Sequence, residues 1–177
     1  PVAWGADLED YADVLQAPSN AVDKFTRGSV LVVGGSLRFP GAPVMAALAA
    51  ARAGAGYVTL AVPAPVAPII QPHLLEIPVL ALPAEEDGTF STGSIEQVVQ
   101  LAQKRTATLV GPGMRVSSGT AGIVSRLIAT EVPLVIDADG LNCLARLTSN
   151  RLDDFPELLR RNAPIVLTPH RRELGRL

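Results

Sequence analysis

Four short clusters along this chain carry residues suited to holding a polar ligand: Gly34-Gly35-Ser36, Gly111-Pro112-Gly113, Asp137-Ala138-Asp139-Gly140 and Thr168-Pro169-His170. Each follows a run of aliphatic or β-branched residues. Glycines leave backbone N–H groups open to close approach, a carboxylate accepts protons from hydroxyls and amides, and an imidazole exchanges a proton near neutrality. Converging on one place, such groups suit an anionic, nucleotide-like molecule. Pro40-Gly41-Ala42-Pro43 adds a turn just after the first cluster. Each cluster also has a plainer reading. The glycines serve tight turns and close helix-sheet packing as well as they serve a ligand, and Asp137 equally caps a helix beginning at Leu141. Ser36 reads as a turn residue rather than a nucleophile, since no histidine stands in a motif with it. Taken alone, His170 reads as a surface or capping residue, residues 171–173 as an exposed mixed-charge helix start, Lys24 and Arg38 as solvated charges, and Cys143 as a small buried filler.

The elements that must position these clusters are legible in the hydrophobic pattern. Apolar runs predict strands over 30–33, from 57, over 79–82, 108–110, 134–136 and 165–167. Between them, periodic segments predict helices over 43–53, about 66–70, from 95 to 102, from 119 through Ile128, over 141–147 and over 156–161. The alanine-rich segment 43–53 has proline in its first turn and glycine just past its end, the usual asymmetry of helix boundaries. Residues 4–15 read as a short amphipathic lead-in helix, followed by a polar loop over 18–23. Apolar strands alternating with helices imply crossover units, a mostly parallel sheet covered on both faces, and all four clusters on its carboxyl edge.

Composition sets limits. With 177 residues and 48% hydrophobic content, the chain can bury one sizeable core, so 1–177 reads as a single domain. The 15 basic and 17 acidic residues are scattered and sum to a net charge of -2, which offers no cationic stripe for a nucleic acid. One cysteine forbids an intrachain disulfide, and with two histidines a structural metal site is not expected. That cysteine usage fits the cytoplasm best, and the longest wholly apolar helical stretch, 44–51, is far short of the ~20 residues a bilayer requires, so no membrane association is expected. The chain opens on Pro1 and stops at Leu177 within an apparent new helix, so both ends read as cut.

Several longer motifs are recognisable. Gly-Ser-Val-Leu-Val-Val-Gly-Gly-Ser from Gly28, Pro-Gly-Ala-Pro from Pro40 and Arg-Ala-Gly-Ala-Gly-Tyr-Val-Thr-Leu-Ala-Val-Pro from Arg52 resemble the opening of the NAD(P)H-hydrate dehydratase family. Val-Gly-Pro-Gly-Met from Val110, Val-Ile-Asp-Ala-Asp-Gly-Leu-Asn from Val135 and Val-Leu-Thr-Pro-His-Arg-Arg-Glu from Val166 resemble its later motifs, in the same order. The similarity runs from about Lys24 to the end. It implies a ribokinase-like fold, a three-layer α/β/α sandwich with a mostly parallel central sheet, of which this chain would be the N-terminal two-thirds.

The resemblance further implies repair of a damaged cofactor, the S epimer of NADH or NADPH hydrate. Members phosphorylate the ring hydroxyl at the expense of ADP or ATP with Mg2+, then eliminate phosphate. On that comparison Ala42 with its neighbour Gly41, Gly113 and His170 contact substrate, and Asp137 falls at the family's acidic strand end with Asn142 one helical turn on; Asp137, Asn142 and Gly111 are expected to join the substrate site, and Gly34, Gly35 and Ser36, from their glycine-floored loop, to bind the cofactor. The catalytic base and the ADP-binding segment are expected beyond Leu177, and no residue here is expected to bind a metal. The family's tetrameric assembly and a companion NAD(P)H-hydrate epimerase domain or protein are further implications. Three departures stand out: Asp23 for a usual histidine, Met114-Arg115 for a usual Leu-Gly, and Gly140 for a usual alanine. The alternatives are a ribokinase-fold kinase acting on a vitamin-precursor alcohol, and a catalytically silent nucleotide-binding fragment.

Overall fold

A computed structural model describes residues 27–148 and 161–177. The expected lead-in helix over 4–15, the loop over 18–23 and nearly all of the expected helix over 156–161 lie outside them. Six strands, β1 (Ser29–Val33), β2 (Tyr57–Pro63), β3 (Val79–Leu82), β4 (Ala107–Val110), β5 (Leu134–Ile136) and β6 (Ile165–Leu167), form one sheet in the order β3-β2-β1-β4-β5-β6. Every neighbouring pair is parallel. The strand order reverses between β1 and β4. At such a switch point the two adjoining crossover connections leave in opposite directions and open a crevice at the carboxyl ends of the strands.

The helices are α1 (Gly41–Arg52), α2 (Ala67–Ile70), α3 (Ile95–Ala102), α4 (Ser118–Ile128), α5 (Asp139–Leu147) and α6 (Arg171–Leu174). Alternation along β1 shows how the layers arise. Leu31 and Val33 pack in a core with Val98 of α3, Ile123 and Leu127 of α4 and Leu144 of α5. Val32 points the other way, into a second core with Ala47 of α1 and Val66, Ala67 and Ile70 around α2. A side-chain period of two therefore feeds two cores from one strand, and the result is helix, sheet, helix. This is the three-layer α/β/α sandwich expected from the sequence.

Local chemistry explains the element ends that matter for the site. α1 is alanine-rich, has Pro43 in its first turn, where the missing N–H would have had no helical acceptor, and is followed by Gly54 at φ 102. Its small residues allow close packing, and Ala47 is fully buried. α4 opens on a reciprocal cap: the Thr120 N–H donates to Ser117 Oγ at 3.2 Å and the Ser117 N–H to Thr120 Oγ1 at 2.7 Å. Among the described residues no helix is long and apolar enough to cross a membrane.

One buried group in the first core is anomalous. The Thr108 hydroxyl, on the same face of β4 as Val110, is fully buried and has no hydrogen-bond partner among the described residues. A buried hydroxyl without a partner carries an uncompensated desolvation cost of about 1–3 kcal/mol. Thr108→Val should therefore leave stability unchanged or raise it, by about 1 kcal/mol in chemical denaturation, whereas Leu31→Ala, which opens a cavity, should lower it by about 2–5 kcal/mol.

Candidate functional site at the β1–β4 switch point

The loops after β1 and β4 meet at the crevice. The Gly35 N–H donates to the Pro112 carbonyl at 2.8 Å, and the buried Ser36 hydroxyl donates to the Gly113 carbonyl at 2.7 Å. The Gly34 N–H is bonded to the Ala61 carbonyl at 3.1 Å. Gly34, Gly35 and Ser36 are all buried with these groups engaged inside the protein, so in this structure they brace the crevice rather than line it with open donors. Ser36 is a turn residue whose hydroxyl ties one loop to the other.

Gly111 and Gly113 make the turn after β4 with φ of 127° and 69°, backbone that side chains rarely adopt. Space excludes a side chain as firmly as torsion does. A Cβ on Gly111 would lie 1.8 Å from the Asp137 carbonyl oxygen, and one on Gly113 would lie 2.6 Å from the Phe39 carbonyl and 3.2 Å from the Ala42 Cβ. Gly113 is thus buried directly beneath Phe39 and Ala42, while Gly41 is exposed and Ala42 half-buried at the start of α1. Gly41, Ala42 and Gly113 consequently form one rim.

Beyond β4 the remaining expected residues are arranged along the same edge but in their own contacts. Asp137 Oδ1 accepts from the Thr168 hydroxyl at 2.7 Å, tying the end of β5 to the end of β6. It does not cap the next helix: α5 begins at Asp139, two residues before the expected start, and its N-cap is Ala138 without a side-chain cap. Ala138 sits at φ 49, ψ -119, a conformation costly for alanine, of the order of 1–3 kcal/mol. Asn142 is engaged at both ends: its Nδ2 donates to Asp139 Oδ1 at 3.1 Å and its Oδ1 accepts from the Arg176 guanidinium at 2.6 Å.

His170 lies two strands along from β4, a lateral step of roughly 10 Å at the ~4.8 Å spacing of strands. The imidazole caps α6. Its Nδ1 accepts from the Arg172 N–H at 3.0 Å and the Glu173 N–H at 3.4 Å, so that nitrogen carries no proton. Nε2 then bears the hydrogen and faces Glu173 Oε1 at 3.2 Å, while Glu173 Oε2 accepts from the His170 N–H at 3.0 Å. What His170 presents outward is its ring, with a side chain 62% exposed. Glu173 departs from the expected exposed helix start, because this reciprocal cap buries it.

Two residues not expected to belong to a site, Arg115 and Asp87, complete the edge. Arg115 holds φ 58°, its N–H donates to Asp139 Oδ2 at 2.9 Å, and its guanidinium reaches Asp87 Oδ2 at 3.0 Å. The Asp87 carboxyl is held below its ordinary value, first by the Thr89 hydroxyl and amide and then by Arg115. With a depressed folded value, the contribution is present above the unfolded value and lost as pH falls through the folded one. The one available signal was the departure itself, a non-glycine residue where the resembling family commonly has glycine. Cys143 is the buried filler expected: burial pushes its thiol up to about 11, and it lies 3.6 Å from the Thr120 hydroxyl. No group of three or more His, Cys, Asp or Glu side chains among the described residues could hold a metal ion.

Comparison with known proteins gives this arrangement its family. The family profile for NAD(P)H-hydrate dehydratase matches residues 30–177. The chain belongs to that family. A bifunctional NAD(P)H-hydrate repair enzyme of Salinibacter ruber is 44% identical over 156 residues, covering 87% of this chain and 28% of the relative. An ADP-dependent (S)-NAD(P)H-hydrate dehydratase of Xanthomonas campestris is 39% identical over 168 residues, covering 94% of this chain and 53% of the relative. The crystal structure of the ADP/ATP-dependent NAD(P)H-hydrate dehydratase of Bacillus subtilis, grown with ATP and Mg2+, superimposes with a TM-score of 0.73 at 27% identity. That match covers 95% of this chain and 53% of the bacterial one. A ribokinase-like superfamily protein of Enterococcus faecalis shares the fold, at a TM-score of 0.68. This dehydratase-family chain therefore spans about half the length of the dehydratase it matches and just over a quarter of the bifunctional enzyme.

Two outcomes follow from the geometry. Gly111→Ala should destabilise by about 3 kcal/mol or more in chemical denaturation, since the Asp137 carbonyl cannot retreat cheaply. His170→Ala, which removes the cap of α6, should cost about 1 kcal/mol, whereas His170→Asn, which retains a side-chain acceptor, should stay within about 0.5 kcal/mol of wild type.

Proposed function

We propose that this protein dehydrates (S)-NAD(P)H hydrate to NAD(P)H in an ADP-dependent reaction, and that the rim of Gly41, Ala42 and Gly113 holds the hydrated nicotinamide. The observation that carries the reading is that two sequence-distant motifs of the family, around Ala42 and around Gly113, lie in direct contact at the switch point, where doubly wound sheets bind their ligands. Gly111 belongs to the same turn as its support, and the exposed ring of His170 would face the nicotinamide half from the β6 side.

Hydroxide is a poor leaving group, and phosphate a good one. The ring hydroxyl oxygen attacks the terminal phosphorus of ADP as its proton passes to a base, and AMP departs. The carbon–oxygen bond then breaks, phosphate carries away the bonding pair, and loss of the neighbouring ring proton restores the double bond. ADP, or ATP in its place, supplies the phosphoryl group and Mg2+ the charge neutralisation such transfers use. What this stretch contributes is binding and orientation: a rigid glycine turn beneath the ring, fixed by Ser36, and the small Ala42 side chain that leaves room for it. The base and the ADP site are expected in the part of the relatives' length that this chain does not span. The reading carries with it a cytoplasmic location alongside the nucleotide pool, assembly into an oligomer, and an epimerase acting beside this enzyme to supply the S form.

The test is incubation of the full-length protein with hydrated NADH and ADP. Recovery of the reduced-nicotinamide absorbance, with AMP and phosphate formed in equal amounts, is the expected result. Phosphorylation of a hydroxyethylthiazole or hydroxymethylpyrimidine alcohol without that recovery would select the kinase alternative. Ala42→Phe, which fills the rim, should lower kcat/KM by about tenfold or more, ~1.4 kcal/mol, in protein shown by its Tm to be folded.

A further inference from the structure

Beside the rim, between the start of α1 and α2, lies a hollow of about 540 Å3. Phe39, Met45 and Ile69 line it and remain 46%, 70% and 45% exposed. Leu37, 44% exposed, extends the same loop. Scattered single apolar residues on a surface need no explanation, but several large ones gathered about one hollow mark a place where something apolar sits. Arg38 also lines the hollow, with its guanidinium carbon 5.6 Å from the centroid of the Phe39 ring. It has no carboxylate partner among the described residues. The patch therefore joins flat and flexible apolar walls to one cation.

This hollow is continuous with the candidate site. Gly41 and Ala42 line it on one side. On the other, Ala42 and Phe39 contact Gly113, whose Cβ, were there one, would stand 3.2 Å from the Ala42 Cβ and 3.1 Å from the Phe39 Cβ. A ligand anchored at the rim and long enough to extend past Ala42 enters the hollow next. Hydrated NAD(P)H is such a ligand. Its far half is a flat purine, joined to the nicotinamide half through an anionic diphosphate, so apolar walls and a cation complement it in order.

We propose that the hollow between Phe39, Met45 and Ile69 is the subsite for the adenine half of the dinucleotide, with Arg38 facing its diphosphate. This rests on the reading that the rim of Ala42 and Gly113 holds the nicotinamide half. The volume suits it, since ligand pockets run at roughly 300–1,000 Å3. Phe39 has two roles in this arrangement: its backbone covers Gly113, and its ring forms the wall on which the purine stacks. The backbone contact persists when the ring is removed, so the two roles separate by substitution.

The experiment is calorimetric titration of the full-length protein, wild type, Phe39→Ala and Met45→Glu, with NADH and with reduced nicotinamide mononucleotide, which lacks the adenylate half. Neither residue is part of a buried core, and Tm values of the variants confirm that each is folded. The wild type should bind NADH more tightly than the mononucleotide. Each variant should weaken NADH by about tenfold or more and leave the mononucleotide unchanged. Equal weakening of both ligands, or no weakening of NADH by either variant, overturns the adenine subsite while leaving the nicotinamide site standing. A wild-type protein that binds neither ligand overturns the subsite together with the reading beneath it.

Discussion

The closest constraint in this molecule is the backbone-to-backbone approach of two loops at the strand-order reversal. The Gly35 amide on the Pro112 carbonyl and the Ser36 hydroxyl on the Gly113 carbonyl hold the β1 and β4 loops at hydrogen-bond distance. That approach tolerates no side chain: a Cβ on Gly34 would lie 2.5 Å from the Pro112 carbonyl oxygen, and one on Gly113 would lie 2.6 Å from the Phe39 carbonyl oxygen. The seating of α1 depends on it, because Phe39 and Ala42 come to rest on Gly113. The rim and the hollow next to it inherit their shape from there.

The second half of the edge is organised differently. Along this half side chains carry most of the contacts: the Arg115 guanidinium to Asp87, the Arg115 N–H to the Asp139 carboxylate, Asp139 to Asn142, Asn142 to Arg176, and Asp137 to Thr168. Two non-glycine residues at positive φ, Arg115 and Ala138, stand within this chain of bonds. Backbone of that kind persists where surrounding contacts over-determine it. For Arg115 the compensation is visible, an amide and a guanidinium each bound to a carboxylate. Neighbouring bonds of Ala138 do the same: the Asp137 carbonyl accepts the Gly140 N–H at 2.9 Å, and the Ala138 carbonyl accepts the Leu141 N–H at 3.0 Å.

Much of the scaffold was legible because it rests on local, periodic chemistry. The strands over 79–82, 134–136 and 165–167 fall where apolar runs put them, and α1 and α3 follow from alanine content and a helical period. Their alignment on one edge followed from crossover logic alone. What escaped was non-local or locally unusual. Arg115 pairs with residues 24 and 28 positions away, and no pattern in a single sequence marks such a pair. The early start of α5 comes from an alanine elbow that propensity disfavours. Glu173 is buried because a histidine, not one of the usual capping residues, accepts the helix amides. Gly34, Gly35 and Ser36 were legible as a loop at the right place, but which way their polar groups turned depended on the partner loop. Asn142 likewise has both ends occupied within the protein.

The account turns on which edge of the sheet receives the nicotinamide. A rival hollow of about 460 Å3 lies at the opposite, amino edge, lined by residues including Leu48, Gly56, Tyr57 and Leu75. Amide chemical-shift mapping of the labelled protein during titration with reduced nicotinamide mononucleotide distinguishes them directly. The largest shifts should fall on Gly41, Ala42 and Gly113 at the β1–β4 crevice, with Gly56 and Tyr57 unmoved. Shifts concentrated on Gly56, Tyr57 and Leu75, with the crevice silent, would contradict it.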